Sequence, residues 1–252
     1  MRSDGFLLHA SLRAESTFDE ASYPFSIAAI RALRGSAGIR FGPQVTYLVG
    51  ENGSGKSTLI EALAIKSGFN AEGGTTNFQF ATRRSESPLH SALRVARSVR
   101  RPRTGFFFRG ESFFNVATEI EEIGRTGGAG PLIDAYGGIS LHEQSHGESF
   151  LALIKHRFGP EGLYILDEPE SALSPSRQLA VLMRIDQLVR QGSQFIIATH
   201  SPILLAYPDA LIYELSQSGM RAIDYDEAEI VTVTRDFMAN RERFVRALMG
   251  DS

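Results

Sequence analysis

The sequence predicts an α/β fold in which a mostly parallel sheet is flanked by helices, and three observations carry that prediction. First, the runs VTYLVG (45–50), LYILD (163–167) and QFIIAT (194–199) are almost wholly apolar. Strands that read this way are buried on both faces, as in a parallel sheet. Second, helical patterns alternate with them. KSTLIEALAIKSG (56–68) follows the first run directly. SPSRQLAVLMRIDQLVRQG (174–192) opens with Ser174 at the cap and Pro175 in the first turn, and closes at Gly192. Third, 252 residues at 42% hydrophobic and 22% charged suit one domain, 1–252, with a sizeable core.

Further strands are expected at 25–30 (FSIAAI), 104–109 (TGFFFR) and 210–215 (ALIYEL). Residues 69–103 are polar and arginine-rich, and 124–138 are rich in glycine, so an inserted helical lobe is expected over about 81–155. SPLHSALRVARSV (87–99) reads as a helix with Ser87 as cap, which would align Arg94, Arg97 and Arg101 in one stripe. A C-terminal extension over about 216–252 carries an acidic run and then a helix, RDFMANRERFVRALM.

The net charge of −3 announces no polyanionic partner on its own. With no cysteine, disulfides, thiol catalysis and thiolate metal sites are excluded. No stretch approaches the roughly 20 apolar residues of a membrane span, and the N-terminal apolar run is too short for a signal peptide. The expectation is a cytoplasmic protein.

The first motif is GENGSGKST, comprising Gly50, Glu51, Asn52, Gly53, Ser54, Gly55, Lys56, Ser57 and Thr58, set between a strand and a helix. Its glycines let the backbone curl so that consecutive N–H groups face inward, and the helix N-terminus adds partial positive charge. Lys56 can then reach the β- and γ-phosphates of a nucleotide, while Ser57 offers a hydroxyl to Mg²⁺. The second motif, LDEPESAL, ends an apolar strand in adjacent acids. Asp167 is placed to hold Mg²⁺, directly or through water. Glu168 is placed to orient and deprotonate an attacking water. The third, ATHSP, puts His200 at the C-terminal end of a buried strand, the edge where ligands of open α/β sheets collect.

The order of GENGSGKST, SHGES, LDEPESAL and ATHSP resembles the ABC-type ATPase superfamily, in its soluble branch of predicted ATPases related to RecF, SMC and OLD-type proteins. The resemblance covers roughly residues 25–215. It implies a P-loop NTPase fold of the ABC type that binds ATP with Mg²⁺ and hydrolyses it. Ser145, Gly147 and Glu148 fall on the family's signature, with His146 in place of a glycine. Ser171, Ala172 and Leu173 fall on the D-loop, and His200 on the switch histidine.

The resemblance further implies a homodimer in which each signature touches the γ-phosphate held by the other protomer. Ser145 and Glu148 also read as a capping box, and a capped helix N-terminus is itself what an anion contact would use. No glutamine occupies the expected Q-loop vicinity, FFFRGESFFN; Glu111 is the favoured equivalent and Gln79 a weaker one. Tyr23, Arg31 and Arg34 mark the neighbourhood where adenine contacts are expected. The arginine-rich lobe reads either as a phosphate-contacting surface for DNA or RNA, or as a solvated face paired with the acidic C-terminal run.

Three functions follow: an ATP-dependent dimeric switch in a DNA-linked process such as repair, recombination or defence; the nucleotide-binding subunit of an ABC transporter; and a non-hydrolysing partner-binding module gated by ATP, which would leave Glu168 idle. The signature lies only about ninety residues beyond the P-loop, which leaves no room for the long coiled coil of SMC proteins.

Overall fold

The computed structural model describes residues 4–14, 18–34, 38–75, 87–112 and 146–250. Nine strands form two sheets among these residues. The larger has the order β5-β6-β7-β3-β8-β9 and comprises β3 (Val45–Val49), β5 (Thr104–Arg109), β6 (Gly162–Asp167), β7 (Gln194–Ala198), β8 (Leu211–Ser216) and β9 (Gly219–Ile223). All its pairings are parallel except the β8–β9 hairpin. The smaller sheet, β2-β1-β4, is antiparallel and is built from β1 (Leu7–Leu12), β2 (Ile39–Arg40) and β4 (Leu93–Arg97).

The apolar strands feed two cores, one on each face of the large sheet. Tyr47, Phe106, Phe108, Tyr164 and Phe195 point to one side. They meet Phe150 and Leu153 of helix α4 (His146–Arg157), and Val181 and Ile185 of α5 (Pro175–Arg190). Leu48, Phe107, Ile165 and Ile196 point to the other, against Leu59, Ile60 and Leu63 of α2 (Lys56–Ser67). Each fully buried side chain of this size contributes roughly 1.5–3 kcal/mol. Helix α2 therefore lies between the two sheets, which explains why its sequence is apolar around most of its circumference.

Buried Gln194 rivets the sheets together. Its carbonyl oxygen accepts the Phe6 and Leu7 N–H groups at 2.8 and 2.9 Å, and its amide donates to Leu7 and Gly42 carbonyls at 2.9 and 2.8 Å. A buried amide with every partner supplied specifies one docking geometry.

Several expectations are corrected. The run 25–30 is not a strand but leads into a one-turn helix, α1 (Ala28–Arg31). Its buried residues Phe25, Ala29, Ile30 and Leu33 recur at helical spacing, where a strand would alternate. Residues 87–99 form a single turn, α3 (Leu89–Ala92), and then β4, so Arg94 and Arg97 lie on a strand and no helical stripe exists. The partner that decides this is β1, itself read only as a short apolar run from the sequence. Arg100 and Arg103 pair with Glu161 at 4.0 and 2.7 Å, not with the C-terminal acids.

Within the span 81–155, expected as a helical lobe, β4 and β5 belong to the two sheets, residues 146–155 are helical, and 113–145 lie outside the described residues. The C-terminal extension begins with hairpin strand β9, and its expected single helix is two, α6 (Glu229–Ala239) and α7 (Arg241–Met249), broken at Asn240. Ser174 does stand at the α5 N-cap with Pro175 following, but its hydroxyl lies 3.2 Å from Ser176 Oγ and caps no backbone N–H. Gln79, Arg83 and Arg84 fall outside the described residues.

Candidate functional site: a phosphate loop facing two acids and a histidine

The carboxyl ends of β3, β6 and β7 converge on one edge, and each delivers one motif. After β3 the chain turns through Gly50, whose φ of 138° is open to glycine alone. A Cβ there would also sit 2.1 Å from the Leu215 carbonyl, so β8 fixes where the loop starts. Lys56 then folds back over the loop, and its ammonium donates to the Gly50 and Glu51 carbonyls at 2.7 and 2.9 Å. Burial lowers its pKa, and the nearby Glu168, Asp167 and Glu170 carboxylates oppose that shift.

Ser57 Oγ donates to Asp167 Oδ1 at 3.1 Å, which brings the two expected metal ligands into one pair. Both supply hard oxygen donors, the set that Mg²⁺ takes together with phosphates and water. Asp167 is 4% exposed. Burial pushes its pKa up to about 7; Arg109 and the Ser57 hydrogen bond pull the other way, and Glu168 adds to the rise.

A carboxyl whose pKa rises from 3.8 to about 7 on folding binds its proton more tightly in the native state. The metal-free protein therefore loses stability as pH climbs through that window. Asp167→Asn removes the titration. By differential scanning calorimetry without nucleotide or metal, its Tm is expected to match wild type only below the unfolded pKa of 3.8 and to exceed it increasingly as pH rises to about 7, with the full gap present above that. The gap should be about 2–4 °C for each kcal/mol recovered.

Glu168 follows Asp167 in the left-handed region, with φ of 49°, a strained position for a side-chain-bearing residue. Its N–H donates to the Ala198 carbonyl at 3.0 Å, which locks the turn to β7. Its Oε1 lies 3.6 Å from His200 Nε2, beyond hydrogen-bond range. Burial and Lys56 lower the His200 pKa while Glu168 raises it, so the ring favours its neutral form. Lys56, Ser57, Glu111, Glu168, His200 and Tyr23 line one cleft of about 540 Å³.

Two groups escaped the sequence reading. Glu170 is largely buried and its Oε1 accepts the His200 N–H, which anchors the histidine's backbone from the D-loop side. The last acid of DEPE was its signal. Glu61, 9% exposed at its side chain, pairs with Arg109 at 2.8 Å; its signal was one acid in an otherwise apolar helical run.

The expected adenine neighbourhood divides. Tyr23, 61% exposed, shares a 2.8 Å hydrogen bond with Thr58 Oγ1 and lines the phosphate cleft. Arg31 lines an adjoining cleft of about 630 Å³ with Glu51, Asn52, Gly53 and Ser54. Arg34 is engaged elsewhere, paired with Glu20 and stacked 4.7 Å over Phe18.

Of the signature, Ser145 lies outside the described residues, and α4 starts at His146, the next residue. Gly147 is buried against the D-loop: a Cβ would meet the Ala172 carbonyl at 2.6 Å and the Arg177 guanidinium at 2.9 Å. Only a glycine lets the two segments approach this closely. Glu148 pairs with Arg177 at 3.0 Å. In the D-loop Ser171 and Ala172 are exposed while Leu173 enters the core. Glu111 is exposed and stands 3.5 Å from Arg109 Nη2.

A strand–phosphate-loop–helix unit with an acid-tipped strand one place removed in the same sheet defines a P-loop nucleotide-binding domain. Two family models match the chain, each described as an AAA domain. The first spans residues 25–88; the second, described as "AAA domain, putative AbiEii toxin, Type IV TA system", spans 134–206. With the motif order and the fold, they mark a P-loop nucleotide-binding domain with AAA-type segments, similar to ABC-type ATPases.

A Haemophilus influenzae protein described as an uncharacterized ABC transporter ATP-binding protein is 40% identical over 67 residues. That match spans 26% of this chain and 26% of the relative. Among solved structures, the SMC head domain from Thermotoga maritima is 17% identical, with 86% of this chain and 98% of that one covered at a TM-score of 0.43. The protein cbiO1 from Clostridium perfringens, part of the ABC transporter complex cbiONQ, is also 17% identical, with 98% and 100% covered at 0.47.

Proposed function

We propose that the domain binds Mg-ATP and hydrolyses it, and that it works as an ATP-gated homodimer. The observation that carries this reading is the facing of Glu168 and His200, 3.6 Å apart, across the cleft lined by Lys56 and Ser57. Backbone N–H groups of Gly53 to Ser57 and the Lys56 ammonium hold the phosphates, and Lys56 exchanges its two carbonyl contacts for phosphate oxygens. Ser57 and Asp167 hold Mg²⁺, which supplies charge neutralisation at the β- and γ-phosphates. Glu168 takes the proton of the attacking water. A neutral His200 donates from one ring nitrogen to the γ-phosphate, oriented by the hydrogen bond from its backbone to Glu170.

The signature residues Ser145, His146, Gly147 and Glu148 then serve the partner's nucleotide. Close packing of Gly147 on Ala172 makes signature and D-loop one ridge, so nucleotide contact and Ser171 move together. This reading makes the domain a cytoplasmic switch in a DNA-linked process. Residues Arg94 and Arg97 on β4, exposed in the structure, offer a surface for phosphate contacts.

The name of the Haemophilus influenzae relative favours a second reading, a nucleotide-binding subunit docked on a membrane permease. Among the described residues no helix is long and apolar enough to cross a membrane, so the permease would be a separate span or chain. Phosphate release from Mg-ATP tests the chemistry directly. Release above background that disappears on chelating Mg²⁺ is expected. Tight ATP binding without release would make the domain a gate that does not hydrolyse. Stimulation of that release by DNA, or by a permease, separates the switch from the transporter subunit.

A further inference from the structure

Behind the metal corner lies a charged pair that the hydrolysis scheme does not use. Arg109 ends β5, in register with Asp167 on β6, so its side chain shares the sheet face of that acid. Its Nη1 donates to Glu61 Oε2 at 2.8 Å, and its Nη2 stands 3.5 Å from Glu111 Oε2. Glu61 sits four residues after Ser57 on α2, on the same helix face. Its second oxygen accepts the Ser87 N–H at 3.0 Å. The turn after Arg109 presses on the acid-bearing loop: a Cβ on Gly110 would lie 2.8 Å from Ser171 Oγ and 3.2 Å from the Glu168 carbonyl. Arg109 thus links, through its guanidinium, the helix of Ser57 and the turn bearing Glu111, from a strand paired with that of Asp167.

Such a pair is not what a stable core calls for. Apart from Lys56 and Glu61, the buried residues of α2 are apolar, and a buried ion pair is on balance no more stabilising than hydrophobic residues of its volume. Its place at the junction of three site elements accounts for it better.

We propose that Arg109, anchored by Glu61, is a positioning residue for the Mg-nucleotide: it holds the Ser57–Asp167 pair and the Glu111 turn as one unit. The metal-dependent part of nucleotide affinity then depends on a guanidinium that touches neither metal nor phosphate. This rests on reading Ser57 and Asp167 as the metal-holding residues.

Calorimetric titration of the full chain with ATP, once in chelator and once in saturating Mg²⁺, tests it. Arg109→Gln and Glu61→Gln are each expected to cut the Mg²⁺ enhancement of affinity about tenfold, the range of lost outer-shell partners. Affinity in chelator should stay within about twofold. Arg109→Lys should restore part of the enhancement, and the double Gln variant should be no worse than either single one, since both remove the same contact. Equal losses with and without Mg²⁺ would mark a general structural role and overturn the proposal. So would a wild-type enhancement in Arg109→Gln while Asp167→Asn loses it. If Asp167→Asn keeps the enhancement, the metal corner itself is misread and this proposal falls with it.

Discussion

A Glu168→Gln variant given Mg-ATP is expected to bind nucleotide as wild type does, to release phosphate at least about 100-fold more slowly, and to run as a dimer in light scattering. The rate follows from the contribution of a general base, on the order of 10²–10⁴-fold. The unchanged binding follows from geometry. Glu168 reaches the cleft from the end of β6, opposite the phosphate loop, and its strained φ is set by the backbone bond to Ala198, which glutamine keeps. The dimer follows from the proposed sandwich: if ATP joins the protomers and hydrolysis parts them, stopping hydrolysis holds them together. A Glu168→Gln protein that stays monomeric at saturating Mg-ATP would end the sandwich mechanism. Wild-type phosphate release from it would end the assignment of the base.

Lys56→Ala is expected to weaken ATP binding by about two orders of magnitude in calorimetry, while folding, judged by circular dichroism, is kept. Charge-assisted bonds to phosphate are among the strongest a side chain makes, and truncating one partner costs roughly 2–5 kcal/mol. The fold should survive because the polar contacts Lys56 makes, to the Gly50 and Glu51 carbonyls, sit beside an open cleft from which water can replace its ammonium. Affinity within about threefold of wild type would remove the phosphate loop from the site.

The site elements that were readable from the sequence share a local cause. A phosphate loop is one continuous segment whose glycine, lysine and serine positions are dictated by backbone curvature, so Gly50 to Thr58 can be read without knowing any neighbour. The same holds for Asp167, Glu168 and His200, each at the end of an apolar strand run. What was misread depends on pairing at a distance. The helix expected over 87–99 gave way to β4 because β1, more than eighty residues earlier, supplies the ladder. Arg109 and Glu61 are separated by 48 residues, and nothing in either segment reveals that β5 ends beside α2.

The sequence by itself determined the α/β class, the P-loop, and the strand ends that carry acid and histidine, because two-faced strand burial and loop curvature are written in consecutive residues. The tertiary structure alone decided which segments sit side by side. The 3.6 Å approach of Glu168 to His200, the bond of Ser57 to Asp167, and the packing of Gly147 on the D-loop all follow from the sheet order β6-β7-β3 and the helices laid on it. That order is set by burying both faces of one sheet at once, a condition on the whole chain and not on any stretch of it.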